Sequence, residues 1–315
     1  MFEKGDPAPN PLEPLCEEEI VRNWANDEIL VSILCPTFQH ANYIEDSLNG
    51  FLGQKTTFRY EIIIRDDCST DGTRGILEKY QRKYPNIMLA IFETVNRWPN
   101  VKALPILLSA AQGKYIAICE GDDYWIDEYK LQKQVEFLEN NNSVSLLKTK
   151  DLAVENGIVI SPLRPGGTRT FMYPSKIKIP EKFACRCYFG DIFLQAVLRT
   201  HGVFHTLDDV TAVWRKHSGG VFGGLVDKDI EYINLQRSQT NFWIAQYFYE
   251  QGDSRSARRY IIRSLNSIMN ANPKDRKVIM VAFYFNNILH SIKDFTKKII
   301  LRGFDGNINK PHDII

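Results

Sequence analysis

The sequence predicts an α/β fold, a mainly parallel sheet flanked by helices, with a helical C-terminal extension. Three observations carry that reading. Over roughly the first 120 residues, compact apolar runs of strand length alternate with segments whose apolar residues recur at helical spacing, the rhythm of parallel strands joined by crossover helices. The loops that follow these runs hold the acids and turn residues, and the carboxyl ends of parallel strands are where such sheets bind ligands. From position 227 onward the spacing turns helical throughout. At about 150 residues per domain, the 315 residues suggest two units. We place a leader with a short helix at 1–28, the α/β domain at 29–226 and a helical region at 227–315.

After the Pro-rich leader and a helix around 17–26, residues 29–35 (ILVSILC) form an apolar run suited to a buried strand. Ile44, Leu48, Phe51 and Leu52 follow at i, i+4, i+7 and i+8, one face of a helix, with Glu45, Asp46 and Asn49 on the other. The next strand is 60–65, and Asp71 stands as the cap of a helix whose face is Ile76, Leu77, Tyr80 and Tyr84. Strand 87–92, helix 101–111 and strand 115–119 complete the alternation. Past about position 140 the pattern loosens, and 161–174 (SPLRPGGTRTFMYP) reads as a mobile or specificity-bearing loop, being rich in Pro, Gly and Arg. A short helix over 192–201 follows Gly190-Asp191. Residues 210–217 read as a strand whose period of two sets Arg215 and His217 on one side and Trp214 on the other. In the tail, Val278, Val281, Phe285, Ile288, Ile292, Phe295 and Ile299 repeat at threes and fours, a seam that must pack on something.

Composition excludes several classes. With 44% hydrophobic and 24% charged residues the chain is an ordinary globular one, neither disordered nor fibrous. Thirty-nine basic residues against thirty-eight acidic ones leave no nucleic-acid footprint. Six scattered cysteines without a CxxC pair argue for reduced thiols rather than a disulfide framework or a zinc site. The N-terminus carries proline and acid where a signal peptide carries lysine and an apolar run. The longest uncharged apolar stretch, 278–292, has fifteen residues, short of the roughly 20 that a span requires. A cytoplasmic chain is the expectation.

Three loops invite chemistry: PTFQH at 36–40, DDCSTDGT at 66–73 and EGDDYW at 120–125. Asp122 and Asp123 end a strand with no lysine or arginine beside them, so a hard cation such as Mg²⁺ or Mn²⁺ would relieve their repulsion and bridge a diphosphate. The bland alternative is a solvated acidic turn. Asp67 is placed to accept the imide N–H of uracil or thymine, whereas Asp66, Ser69 and Asp71 have a ready account as turn and cap residues. His217 has an equally local account as a satisfied strand-end histidine, and Arg215 beside it makes an anion site more credible.

Five segments, VSILCPTFQHANYIEDSLNGFLGQ, EIIIRDDCSTDGT, AAQGKYIAI, EGDDYW and WRKHSGG, come in this order between about 30 and 220. Together they resemble the inverting family 2 glycosyltransferases of GT-A fold. By that resemblance, Pro36, Thr37 and Asp67 contact the nucleotide base, and Asp122 and Asp123 form the metal-binding element, Asp123 being the more direct ligand. Gly190-Asp191 resembles the pair carrying the catalytic base, with Asp208 and Asp209 as rivals and helix capping as a compatible second role. Lys102 is similar in position to a basic residue that reaches the nucleotide or diphosphate, and Arg215 and His217 resemble the residues that close over diphosphate and metal. The implied cofactor is Mn²⁺ or Mg²⁺. The implied partners are a nucleoside diphosphate sugar, UDP- or dTDP-linked in preference to a guanosine donor, and a saccharide or lipid-linked acceptor.

Three other functions fit the sequence less well. A metal-dependent nucleotidyltransferase normally has a Gly-rich phosphate loop after the first strand, and PTFQH has no glycine. A noncatalytic nucleotide-sugar-binding module has no need of every expected acid. A membrane-embedded synthase would add spanning helices and a QxxRW motif. The tail at 274–302, with seven basic and two acidic residues, has two readings: a helix packed on the catalytic domain or on a second copy of the chain, or peripheral docking to an anionic membrane surface.

Overall fold

The computed structural model describes residues 2–220 and 230–269. The chain divides into two compact units, Met1–Cys185 with Gly190–Lys228, and Arg186–Phe189 with Asp229–Ile315.

The first unit runs α1 (Glu17–Arg22), β1 (Ile29–Thr37), α2 (Ile44–Leu52), β2 (Arg59–Asp66), α3 (Thr73–Lys83), β3 (Met88–Phe92), α4 (Ala103–Ala110), β4 (Tyr115–Ile118) and β5 (Tyr124–Trp125). It continues through α5 (Lys130–Asn140), β6 (Val144–Glu155), β7 (Ile158–Pro165), a 3₁₀ turn (Thr168–Thr170), β8 (Met172–Pro174), α6 (Glu181–Ala184), α7 (Gly190–Leu198) and β9 (Val203–Lys216). Among the described residues the strands form one sheet in the order β3-β2-β1-β4-β8-β6-β9-β5, with β7 on β6. Val31, Ile33 and Cys35 of β1, Ile62 and Ile64 of β2, and Tyr115 and Ala117 of β4 share a core with the apolar faces of α2, α3 and α5. The alternate residues Leu34, Ile63 and Ile116 are equally buried outside that core. Period-two burial on both sides is why these strands read as continuous apolar runs rather than as alternation.

The expected parallel sheet holds for β3-β2-β1-β4, and β6 pairs β9 in parallel as well. The sheet then becomes mixed, because β4–β8, β6–β8, β6–β7 and β5–β9 are antiparallel. The main departure is at 161–174, which is not a mobile loop. It ends β7, makes the 3₁₀ turn and forms β8, because Met172 and Tyr173 are apolar and fully buried between β4 and β6. The first helix stops at Arg22, and β9 is longer than the strand expected at 210–217, ending at Lys216 so that His217 lies just beyond it. Gly72, at φ 110°, rather than Asp71 is the residue before α3. Asp71 still accepts the Thr73 backbone N–H at 3.0 Å and the Ala41 N–H at 2.9 Å, tying α3 to the loop after β1. The leader lies against this unit through a bridge from Pro7 to Ile158 and hydrogen bonds from Tyr124 to Pro9 and Tyr84 to Leu15.

In the second unit, α8 (Ile230–Glu250) and α9 (Ser254–Met269) form a helical hairpin around Gly252 at φ 78°. Phe242, Ala245 and Ile261 bury against one another, and Phe248 stacks on Tyr260. No helix among the described residues is long and apolar enough to cross a membrane. The apolar seam and basic stretch of the tail lie outside the described residues.

Candidate active site

The loop from 119 to 123 extends β4 along β1. The Cys119 N–H donates to the Leu34 carbonyl and the Gly121 N–H to the Pro36 carbonyl, both at 3.1 Å. The acids thus emerge at the carboxyl end of the sheet, beside the loop after β1. Asp122 turns one carboxylate oxygen to two imidazoles: His217 Nε2 lies 3.1 Å and His40 Nε2 3.7 Å from Oδ2. His40 is set by its Nδ1, 3.1 Å from Thr37 Oγ1. His217 packs on the Tyr43 ring at 4.4 Å. Burial pushes the Asp122 carboxyl up, but the His217 hydrogen bond and the charges of both histidines outweigh it, leaving it below the usual carboxylate value.

Arg215 reaches the same loop from β9. Its backbone N–H donates to Asp123 Oδ1 at 2.9 Å, its Nη1 donates to the Asp122 carbonyl at 3.2 Å, and its Nη2 pairs with Asp46 on α2. The guanidinium lies over the Tyr124 ring at 4.2 Å. Asp123 faces inward instead. It is 3% exposed, and its Oδ2 sits 2.8 Å from Arg169 Nε. Burial raises its carboxyl well above the ordinary range, with Arg169 pulling the other way.

The loop after β2 is organised around Asp67, which is buried. Its carboxylate accepts from Arg65 Nη2 at 2.9 Å and from the backbone N–H groups of Arg97 and Trp98 at 3.2 and 3.1 Å. Thr37 accepts the Asp67 N–H through its carbonyl, so the loops after β1 and β2 are joined. Lys102 precedes α4 with its Nζ 4.1 Å from the Trp98 ring centroid. Asp191 stands in the first turn of α7. Burial raises its carboxyl, opposed by the Ile192 backbone N–H and the charges of Arg169 and Lys148. Of its rivals, Asp208 is 95% exposed and paired with Lys150, and Asp209 pairs with Lys133; neither contacts the acidic loop through these pairs.

The structure therefore brings together Thr37, Asp122, Asp123, Arg215 and His217, and holds Asp67 on the adjoining loop after β2, while Lys102 stands before α4. Three residues escaped sequence reasoning. His40 was visible only as the histidine of PTFQH, Asp46 was assigned to the polar face of its helix, and Arg169 was lost in the segment taken as a mobile loop. Gly166 and Gly167 were the available signal: a Cβ on Gly166 would fall 2.1 Å from the Thr149 carbonyl, a close approach that a flexible linker does not need.

Among the described residues no cluster of three acidic, histidine or cysteine side chains is set to cage a metal. The donors present fit a divalent cation of another kind. Asp122 and His217 hydrogen-bond each other, and Glu120 on the same loop carries a buried Oε2 without a hydrogen-bond partner. Mg²⁺ in particular is commonly held by one or two carboxylates together with substrate phosphates.

A model of the family described as glycosyl transferase family 2 matches residues 32–199. The chain belongs to glycosyl transferase family 2. Its architecture is the GT-A type α/β fold. The chain is similar to an uncharacterized protein of Mycobacterium tuberculosis, 41% identical over 111 residues, covering 35% of this chain and 32% of that protein. It also resembles the poly(ribitol-phosphate) beta-N-acetylglucosaminyltransferase TarS of Staphylococcus aureus, 35% identical over 123 residues, 38% of this chain and 21% of TarS. The chain thus spans a third or less of the length of these relatives. Among solved structures, residues 1–349 of S. aureus TarS in complex with UDP-GlcNAc align at a TM-score of 0.52 and 17% identity, over 86% of this chain and 92% of that one. That likeness concerns the fold.

Proposed function

We propose that this member of glycosyl transferase family 2 catalyses inverting transfer of a sugar from a nucleoside diphosphate sugar, with uridine or thymidine as the base, to a hydroxyl of a saccharide or lipid-linked acceptor. The observation that carries the reading is the convergence of Asp122, His217, His40 and Arg215 at the carboxyl ends of β1 and β4, beside the Thr37 and Asp67 loops. Asp67 accepts three hydrogen bonds, from Arg65 and from the 97–98 backbone, and keeps one lone pair, on Oδ2, for a base imide. Arg215 and Lys102 supply positive charge for a diphosphate. A divalent cation held by Asp122 and His217 would stabilise negative charge on the departing diphosphate.

Asp191 is the general base. It takes the proton of the acceptor hydroxyl while that oxygen attacks the anomeric carbon from the face opposite the diphosphate, and the configuration inverts. The step matches the water-activating half of inverting glycoside hydrolysis, with an alcohol in place of water. The product diphosphate leaves as an anion and needs no acid from the protein.

The reading also includes a cytoplasmic enzyme of surface-polysaccharide assembly, its acceptors reached by peripheral membrane contact. Relatives named for poly(ribitol-phosphate) glycosylation support the substrate class. Thermal unfolding with UDP, dTDP and GDP, each with and without Mn²⁺, tests the reading, because a ligand of the native state raises the midpoint by mass action. UDP or dTDP with Mn²⁺ should raise it most. No shift with any diphosphate in the presence of metal would refute the assignment of the acidic loops.

A further inference from the structure

The acidic loop at 120–125 is held by two consecutive residues of the segment after β7. The Thr168 side chain lies beside the Glu120 carboxylate and favours its charged form. The Arg169 guanidinium contacts Asp123, Nε to Oδ2 at 2.8 Å, and the Arg169 carbonyl accepts from Trp125 Nε1 at 2.8 Å. The same segment is bolted to β6 and α5. Arg169 Nη1 donates to Asp151 Oδ2 at 2.7 Å and the Gly167 N–H donates to the same oxygen at 3.2 Å. The Gly166 N–H donates to the Thr149 carbonyl at 3.2 Å, and Gln134 Nε2 donates to the Thr170 carbonyl at 2.8 Å. Asp151 is wholly buried and Arg169 is 8% exposed.

We propose that residues 166–170 are a rigid bracket for the acidic loop and that Arg169 is its positioning residue, holding Asp123 inward so that the neighbouring Asp122 presents its carboxylate toward His217. This rests on the glycosyl-transfer reading of the site. Two buried carboxylates meet different nitrogens of one guanidinium, Asp151 by a hydrogen bond to Nη1 and Asp123 by a close charge contact at Nε without hydrogen-bond geometry. The single point charge of a lysine does not reproduce that spread of charge. Asp123 and Asp122 share a turn closed by the Asp123 N–H donating to the Glu120 carbonyl at 3.1 Å, and their carboxylates meet different partners, Arg169 and His217. Pinning Asp123 on Arg169 therefore fixes the turn that presents Asp122 to His217. Outer-shell partners of this kind govern how well a site holds its ligand without touching it. Arg169 offsets part of the charge of the buried Asp123 and Asp151, and Asp122 faces the histidines instead.

Calorimetry of the full chain with Mn²⁺ and UDP, read beside steady-state kinetics, tests this in Arg169→Lys and Asp151→Asn. In Arg169→Lys, UDP affinity in Mn²⁺ and kcat/KM should each fall about 10- to 100-fold, with the circular dichroism unchanged. Asp151→Asn, which reaches Asp123 through the bracket it anchors at Arg169 and Gly167, should show a smaller loss of the same kind. The double variant should be no worse than Arg169→Lys alone, since both act through one contact. The proposal is overturned if either folded variant binds and turns over within about twofold of wild type, or if the two losses multiply in the double variant. A lowered melting midpoint with normal affinity in the folded fraction also overturns it, since that marks a purely structural pair. If Arg169→Lys does not fold, Asp151→Asn decides by the same criterion. Wild-type protein that binds no UDP in Mn²⁺ refutes the functional reading underneath, a result that the variants cannot imitate.

Discussion

Gly121→Ala tests whether the acidic loop is positioned by its packing on the loop after β1. Gly121 sits one residue before Asp122, and a Cβ there would meet Thr37 Oγ1 at 2.7 Å, Ile44 Cδ1 at 2.8 Å and Thr37 Cβ at 2.9 Å. Ordinary contact begins at 3.4 Å, so the loop must retreat by roughly 0.5–0.7 Å, or Thr37 and Ile44 must give way. Both neighbours are fixed. Thr37 ends β1 and is 4% exposed, and Ile44 is fully buried in the core under α2. Overpacking of this kind costs about 1–3 kcal/mol, which in a domain of this size lowers the melting midpoint by about 2–4 °C per kcal/mol. The functional loss should be larger than the stability loss implies. A misplacement of about 1 Å near reacting groups costs about 100-fold in rate, so the expected retreat should lower turnover about 10-fold or more. Ile44→Val removes Cδ1 and should recover part of both losses in the double variant. The assays are thermal unfolding and release of the nucleoside diphosphate from a donor sugar. An unchanged midpoint with an unchanged rate would refute the packing argument, and a lowered midpoint with a normal rate would show that loop position does not govern the chemistry.

Asp191→Asn should leave UDP affinity nearly intact and lower transfer about 10²- to 10⁴-fold; calorimetry and a turnover assay check the two halves separately, and near-normal turnover would move the base elsewhere. Burial raises the Asp191 carboxyl, and the base must be ionised, so in wild type the rate should climb with pH through a value above the ordinary aspartate pKa of about 3.9. The folded state holds that proton more tightly than the unfolded one. Asp191 therefore lowers stability progressively as pH rises from the unfolded to the folded pKa, and Asp191→Asn should flatten that part of the stability profile. Asp122→Asn should fold normally and weaken UDP binding in Mn²⁺ by more than the about 10- to 100-fold of an outer-shell partner, measured by calorimetry. Asp123→Asn, which weakens the same Arg169 contact, should lower UDP affinity in Mn²⁺ by the about 10- to 100-fold of an outer-shell partner and lower the melting midpoint as well.

How much was legible depended on how far apart in sequence the interacting groups lie. The order from β1 to β4 could be read because each strand is buried on both sides by its own neighbours, so ILVSILC and EIIIR stand out as unbroken runs. The face of α2 was equally plain, with Ile44, Leu48, Phe51 and Leu52 all fully buried. The second half of the sheet was not legible. In β6 through β9 polar residues such as Thr149, Asp151 and Thr211 are buried with partners on neighbouring strands and turns, so apolar periodicity, the one signal available, breaks down.

The sequence by itself determined which acids would crowd the carboxyl end of the sheet, because a loop following an apolar strand run cannot emerge anywhere else. Tertiary structure alone decided what answers their charge. Asp122 meets His217 across 95 residues, and Arg215 pairs with Asp46 across 169. Asp123 finds Arg169 in a segment that reads as a loop. No local pattern encodes such pairs. Periodicity reports the neighbours of a residue along one helix or strand, whereas a buried carboxylate is stabilised by whichever cation the folded chain carries to it.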